Sequence, residues 1–437
     1  MSPEIIGLIG IVIMLALMFL GIPIGLSMAL IGFLGYAAIS GFHPTLMMLG
    51  TIPYSNIASY MFSILPVFLL MGEWAEMSGM TNEAYRSANI WLGRLPGGLA
   101  MASIGGAALF SAVSGSSMAC AATMTKVSID DLIKYKYDPE LATGALAAGG
   151  TLGQLIPPGV AYVFYAIMTN TSIGEIMVAC IIPGFLLTLM YFIQIYIQCR
   201  IKPSLGPRGK STTMKQKLLA IKDIWAVVVI FGLIMGGIWF GVFTPTEAGA
   251  VGAIGTFIFA LARRRLNRQN FTQSLKATIK TCGMIFAIIM GAMIFTYFAS
   301  ISKLPELLAE WVVMLNLSTV AVIIIMMIVY FVLGIAMDTI SMVILTLPVF
   351  LPVLVALDVD LIWYGVLVIV QMELSQITPP VGMNMFIVAG MVKDRGITMN
   401  HVFRGVIPFC ITMVVFIVLL VAFPDIAMFL PNTMISR

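Results

Sequence analysis

Apolar residues run along this chain in blocks of about twenty, separated by short polar segments. A block of that length is enough for a helix to cross the hydrocarbon of a bilayer. The pattern predicts full crossings near 5–20, 22–40, 54–79, 141–169 and 173–199, and again near 224–243, 245–262, 281–301, 363–392 and 405–423. Two further blocks, 97–125 and 319–350, are apolar but carry a polar tip. Each reads as a re-entrant helical hairpin, because irregular backbone at membrane depth survives only where protein or a water-filled cavity covers it. Short surface helices are expected near 79–96 and 301–318.

The blocks repeat. Leu152-Gly-Gln-Leu-Ile-Pro-Pro-Gly159 and Leu374-Ser-Gln-Ile-Thr-Pro-Pro-Val381 are near-copies at an offset of 222 residues. At the same offset Ser114-Gly-Ser-Ser117 falls on Ala336-Met-Asp-Thr339, and Pro23 on Pro245. Two halves that each contain a Pro-interrupted apolar segment at the same place are the sequence sign of a secondary transporter with its site at the repeat interface. The expected fold is an all-α polytopic membrane protein of two inverted-topology repeats, each with a hairpin and a Pro-Pro-broken helix. The first repeat spans 1–199 (hairpin 97–125, broken helix 141–169), a basic cytoplasmic linker 200–223, and the second repeat 224–437 (hairpin 319–350, broken helix 363–392).

Composition agrees with this reading. Of 437 residues, 60% are hydrophobic and 10% charged, against about 25% charged in soluble proteins. Placing the N-terminus outside puts 21 of the 23 Lys and Arg on the cytoplasmic side and leaves only Lys303 and Arg437 opposite. The positive-inside rule selects that orientation, with both termini periplasmic. The net charge of +4 sits in short loops and gives no sign of nucleic-acid binding. The five Cys have no metal-ligand spacing and read as packing residues, and no basic segment marks the N-terminus as a cleaved signal. No cofactor or enzymatic metal is expected.

The candidate chemistry lies at the breaks and tips. Pro157, Pro158, Pro379 and Pro380 lack an N–H, so the helices must stop near Gln154 and Gln376 and restart beyond. The stop exposes carbonyls, which suit a hard cation such as sodium; the restart exposes N–H groups, which suit an anion. Gly153 and Gln154, with Ser375, Gln376 and Thr378, flank the two stops, and Asn384 follows the second restart as a pocket wall. Ser114, Gly115, Ser116 and Ser117 supply hydroxyls and flexible backbone at the first tip. Gly334, Met337, Asp338 and Thr339 form the second tip. Asp338 is a lone membrane carboxylate, readable both as a cation ligand and as a helix cap. Glu373, five residues before Thr378, reads as a partner for a neighbour on the outward side of its half-helix; proton or cation binding is the other reading. Thr244-Pro-Thr-Glu247 reads as a capping box that starts a helix.

At these residues the chain resembles the large membrane subunit of tripartite ATP-independent periplasmic (TRAP) transporters. The resemblance runs along essentially the whole chain. It is most specific at Ser114-Gly-Ser-Ser117 with Ala119, Gly153-Gln-Leu-Ile-Pro-Pro158, Thr244-Pro-Thr-Glu-Ala248, Gly334 with Met337-Asp338, and Gln376-Ile-Thr-Pro-Pro380. It implies an elevator-type fold with a scaffold and a mobile core, and sodium as the coupling ion near tips and breaks. It also implies an organic-acid substrate, a small four-helix membrane subunit, a soluble periplasmic binding protein and a bacterial inner-membrane location. The first span begins at once, so the small subunit is expected on a separate chain.

Three alternatives stay open at this stage. Gly115-Ser116-Ser117 matches the kernel of an intramembrane serine protease, but the only histidines, His43 and His401, are expected in loops outside the membrane core. A channel would also use re-entrant loops. A sodium or proton symporter that needs no binding protein is the third.

Overall fold

The computed structural model describes residues 2–209, 212–336 and 339–434, and all regular structure among them is helical. In chain order the helices are α1 (Pro3–Phe19), α2 (Ile24–Ser40), α3 (Phe42–Ile57), α4 (Ile64–Ser78), α5 (Met80–Leu92), α6 (Gly98–Ser114), α7 (Ser117–Lys134), α8 (Pro139–Leu155), α9 (Val160–Thr169), α10 (Ile173–Ala179) and α11 (Ile181–Ile201). Then follow α12 (Met214–Ile221), α13 (Trp225–Trp239), α14 (Pro245–Ala262), α15 (Arg268–Ile301), α16 (Leu304–Met314), α17 (Thr319–Ala336), α18 (Thr339–Ala356), α19 (Leu361–Ile377), α20 (Met383–Val392) and α21 (Met399–Ala422).

Each of the ten predicted crossings has a helix. Six described helical segments are long and apolar enough to cross on length alone, and two bent pairs bring the number to eight. The rest fall short for a geometric reason. α1, α2 and α19 each have 17 residues, about 25 Å at 1.5 Å per residue, just under the hydrocarbon thickness. Both interrupted blocks are helical pairs, α6/α7 and α17/α18, each running several residues beyond the expected limit. The capping box at Thr244 forms: Glu247 N–H donates to Thr244 Oγ1 at 3.3 Å, and Thr244 N–H donates to Glu247 Oε2 at 2.8 Å.

Two helices have no counterpart in the sequence reading, α3 and α12, the latter lying inside the segment read as the linker. α3 precedes the crossing read as 54–79, and it holds His43, which was expected in a loop. At the 222-residue offset, α3 and α4 together fall on the single 34-residue α15. The first-half copy is interrupted by Pro53 within α3 and by the 3-10 turn Tyr60–Ser63 before α4. His401, also assigned to a loop, lies in the first turn of α21, where its Nδ1 accepts the Thr398 N–H at 3.1 Å.

Burial separates two layers. In α8 every residue from Leu141 to Leu155 is buried, and in α19 every residue from Ile362 to Ile377. In contrast, α1 exposes Ile5, Leu8, Ile9, Val12 and Ile13, and α13 exposes Trp225, Val228, Val229 and Leu233. Contacts between the halves come in matched pairs: α2 on α15 and α14 on α4; α7 on α20 and α18 on α9; α8 on α20 and α19 on α9. At the offset, each member of a pair falls on the other.

The crossing of α2 and α15 depends on small residues. A Cβ on Gly25 would stand 2.9 Å from Ile288 Cα, and one on Gly32 2.7 Å from Phe295 N. Gly291 likewise backs directly onto the Gly25 carbonyl. Backbones this close gain dispersion contacts that lipid cannot match. Gly291→Val is therefore expected to cost the upper end of the roughly 1–3 kcal/mol typical of overpacking, or more, since the opposing atoms are backbone. Detergent melting and size-exclusion profiles would check this; a wild-type profile would refute it.

Candidate functional site

The two broken helices start and stop alike. Asp138 caps α8 by accepting the N–H of Glu140 at 2.8 Å, and Asp360 caps α19 by accepting those of Ile362 at 2.8 Å and Trp363 at 2.9 Å. Each helix then runs 17 residues to its break. At the first break, the positions that would donate to the carbonyls of Gly153 and Gln154 are Pro157 and Pro158, which have no N–H. The next carbonyl, Leu155, is satisfied by the Tyr162 hydroxyl at 2.6 Å. Pro379 and Pro380 fail to donate to Ser375 and Gln376 in the same way. There, Thr378 N–H reaches the Ser375 carbonyl only at 3.4 Å. Both Pro-Pro bonds are cis, and α8 and α9 meet at a bend of 46°.

The first hairpin tip is seated on the first break. α6 ends at Ser114, Gly115 turns the chain in the left-handed region at φ +67°, and Ser116 caps α7 by accepting the Ala119 N–H at 3.3 Å. A Cβ on Gly115 would stand 2.7 Å from the Pro158 carbonyl oxygen. One on Gly153 would stand 2.6 Å from the Ser116 carbonyl oxygen and 2.8 Å from Ser117 Cα. From the other side, Gly72 of α4 backs onto the Ser114 carbonyl.

The second tip approaches the second break through Gly334, packed on the Ser375 hydroxyl, and through Gln376 Nε2, 3.5 Å from Thr339 Oγ1. Met337 and Asp338 lie outside the described residues.

A third contact joins the halves. Ser117 Oγ lies 2.8 and 2.7 Å from the two carboxyl oxygens of Glu373 on α19. Asn384 Nδ2 lies 3.5 Å from the Ala147 carbonyl of α8. In the sequence, Glu373 reads as pairing with a neighbour on the outward side of its half-helix. The structure instead buries it fully and points it at the first hairpin. The signal was a carboxylate in an apolar run; what the sequence lacks is the partner, 256 residues away.

Three buried amide oxygens, Gln154 Oε1, Gln376 Oε1 and Asn384 Oδ1, have no hydrogen-bond partner. An unsatisfied buried acceptor costs about 1–3 kcal/mol, so three of them at or just past the two breaks are expensive unless a ligand repays them. Among the described residues, Glu373 is the one charged side chain in the buried class. The geometry thus offers backbone and amide oxygens without a basic clamp, which is a setting for a small hard cation. Among the described residues, no group of three His, Cys, Asp or Glu side chains could hold a metal. All five cysteines are free thiols.

Residues 11–426 match the family described as "Tripartite ATP-independent periplasmic transporter, DctM component". Among curated proteins, the chain is 32% identical to a C4-dicarboxylate TRAP transporter large permease protein of Pseudomonas aeruginosa, over 85% of this chain and 86% of that one. It is 28% identical to the sialic acid TRAP transporter large permease protein of Vibrio cholerae, over 96% of each. It is 30% identical to a longer sialic acid TRAP transporter permease protein of Haemophilus influenzae, covering 98% of this chain and 68% of the relative. The crystal structure of the Alcanivorax borkumensis YdaH transporter superimposes with a TM-score of 0.67 at 13% identity, over 87% of this chain and 89% of that one, a likeness of fold.

Proposed function

Because the chain belongs to the DctM component family of tripartite ATP-independent periplasmic transporters, we propose that it is the membrane-embedded permease of a sodium-coupled uptake system for an organic acid. The acid is a dicarboxylate, keto acid or sugar acid, delivered by a soluble periplasmic binding protein. A small four-helix membrane subunit completes the permease in the bacterial inner membrane. Both termini face the periplasm, as the lysine and arginine distribution requires.

The carrying observation is the pair of Pro-Pro breaks with their unmatched carbonyls and the unpaired Gln154 and Gln376 oxygens. Sodium binds oxygens at the stops and tips, Asp338 included. With sodium in place, the N–H groups at the helix restarts are positioned for a carboxylate, and no arginine is needed. The matched contacts between halves support two repeats of inverted topology. The α6–α9 and α17–α20 segments then act as a core that slides against the outer helices, with the first hairpin opening inward and the second outward.

Sodium should raise the melting temperature of the purified permease relative to choline at equal ionic strength. A ligand at 100 times its Kd adds about 2.7 kcal/mol to the native state, and Gln154→Ala is expected to remove most of that gain. Uptake in proteoliposomes with both partners should require a sodium gradient. Equal uptake in choline would refute sodium coupling, and full uptake by this chain alone would refute dependence on the binding protein.

A further inference from the structure

One helix in the connection between the halves takes no part in the proposed ion and substrate sites. α12 is set by a capping box: Thr213 N–H donates to Gln216 Oε1 at 2.8 Å, and Gln216 N–H donates to Thr213 Oγ1 at 3.3 Å. One side of it rests on α5, where Ala220 is buried and its carbonyl accepts the Ser87 hydroxyl at 2.6 Å. The other side is apolar and uncovered among the described residues. Met214, Leu218 and Ile221 are 68%, 60% and 47% exposed. At about 100° per residue, they share an arc of about 60°. Lys215 and Lys222 flank that stripe on one side and Lys217 on the other.

Three observations say what covers the stripe. The first is depth. α13 follows α12 after an elbow of 48°. It has 15 residues, about 22 Å at 1.5 Å per residue. That is short of the roughly 30 Å of hydrocarbon, so the elbow stays at the membrane boundary and keeps α12 there. Trp225, the first residue of α13, is exposed at the elbow, and tryptophan is enriched at headgroup level. The second is charge. From Arg200 to Asp223 the sequence has seven Lys or Arg and one acid. That acid, Asp223, is paired with Arg86, and Glu83 of α5 is paired with Arg263. No ion pair among the described residues uses Lys215, Lys217 or Lys222. The third is side-chain type. Lysine stems lie along apolar surface while their ammonium heads reach outward. An apolar stripe between lysines is the pattern of a helix lying in a bilayer interface. Lys217 Nζ also stands 5.6 Å from the centre of the Trp91 ring, and Trp91 is itself exposed.

We propose that α12 and the adjoining edge of α5 form a binding site for anionic phospholipid. The acyl chains cover Met214, Leu218 and Ile221, and Lys215, Lys217 and Lys222 hold the phosphate. That the leaflet is the cytoplasmic one rests on the orientation proposed above; the binding itself does not, and it needs no transported ion.

The test is hydrogen exchange of the purified permease in neutral detergent, read on the peptide that carries α12. Phosphatidylglycerol should slow exchange there at concentrations where phosphatidylcholine does not, and salt should reverse the effect. A lysine near an anionic surface is worth about fivefold in affinity. Replacing all three, Lys215→Gln, Lys217→Gln and Lys222→Gln together, should therefore raise the half-saturating phosphatidylglycerol concentration by about a hundredfold. The melting temperature without lipid should stay at the wild-type value. Lys215→Gln alone should give the fivefold step, so the result does not hang on the folding of the triple variant. Glycerol phosphate, which has no acyl chains, should give no protection, and protection by it would overturn the lipid assignment. So would equal protection by phosphatidylcholine, or a triple variant that binds like the wild type. Protection that appears only when the small membrane subunit is added, without phosphatidylglycerol, would give the surface to that partner instead.

Discussion

Replacing Pro157 and Pro158 together with alanine is expected to abolish sodium-specific stabilisation and to cut uptake by about a hundredfold or more, while leaving a folded protein. Alanine at both positions restores two backbone N–H groups i+4 from the carbonyls of Gly153 and Gln154. The helix can then continue across the break, each new hydrogen bond contributing about 0.5–1.5 kcal/mol. The variant should melt no lower than wild type in choline. The carbonyls that the break exposed would be occupied, and the 46° bend between α8 and α9 would relax. Sodium titrations of both proteins at constant ionic strength check this. A wild-type sodium shift in the double variant would remove the breaks from the coupling mechanism.

Gly115→Val should be nearly as damaging, by a different route. At φ +67° an L-residue pays roughly 1–2 kcal/mol, and branching at Cβ adds to that. The larger effect is steric: the new Cβ would stand 2.7 Å from the Pro158 oxygen, so the tip must lift off the break. Uptake is expected to vanish while the protein still inserts. The matched control is Gly396→Val, at φ +76° and ψ 10° with nothing within 4 Å of the added atom. It carries the same kind of backbone penalty without the contact and should retain most uptake. Equal losses in the two variants would show that backbone strain, and not the seat on Pro158, is at work.

The architecture was legible wherever it is written in local pattern. Proline pairs removed hydrogen bonds at known positions, so the two breaks could be placed to within a residue or two. The polar tips showed because their surroundings are uniformly apolar. Asp138 and Asp360 were equally legible, since they share the 222-residue offset and precede the two broken helices. α3 was hidden by composition: His43, Pro44, Thr51, Pro53 and Asn56 dilute its apolar content. The Ser117–Glu373 contact could not be read at all, because it depends on how two distant helices pack. Met337 and Asp338, prominent in the sequence, lie outside the described residues.

The linker was hidden for another reason, since it is held largely through backbone atoms. Gly97 and Gly209 donate to the carbonyls of Gly206 and Gly93 at 2.9 and 2.8 Å, and Asp138 donates to that of Leu205 at 2.9 Å. Ser87 and Thr212 hydroxyls add bonds to the Ala220 and Ile90 carbonyls at 2.6 and 2.8 Å. Arg86 pairs with Asp223 at 2.5 Å. The described residues of the connection between the halves are thus a strap laced along α5 and the base of the first hairpin. If the core travels, the strap and α5 must travel with it, and rotation is left to two joints. One is Gly79, at φ +88° between α4 and α5; the other is the 48° elbow between α12 and α13. On the elevator reading, those two corners set how far the core can go, and lengthening the strap between its anchor points would not extend the stroke.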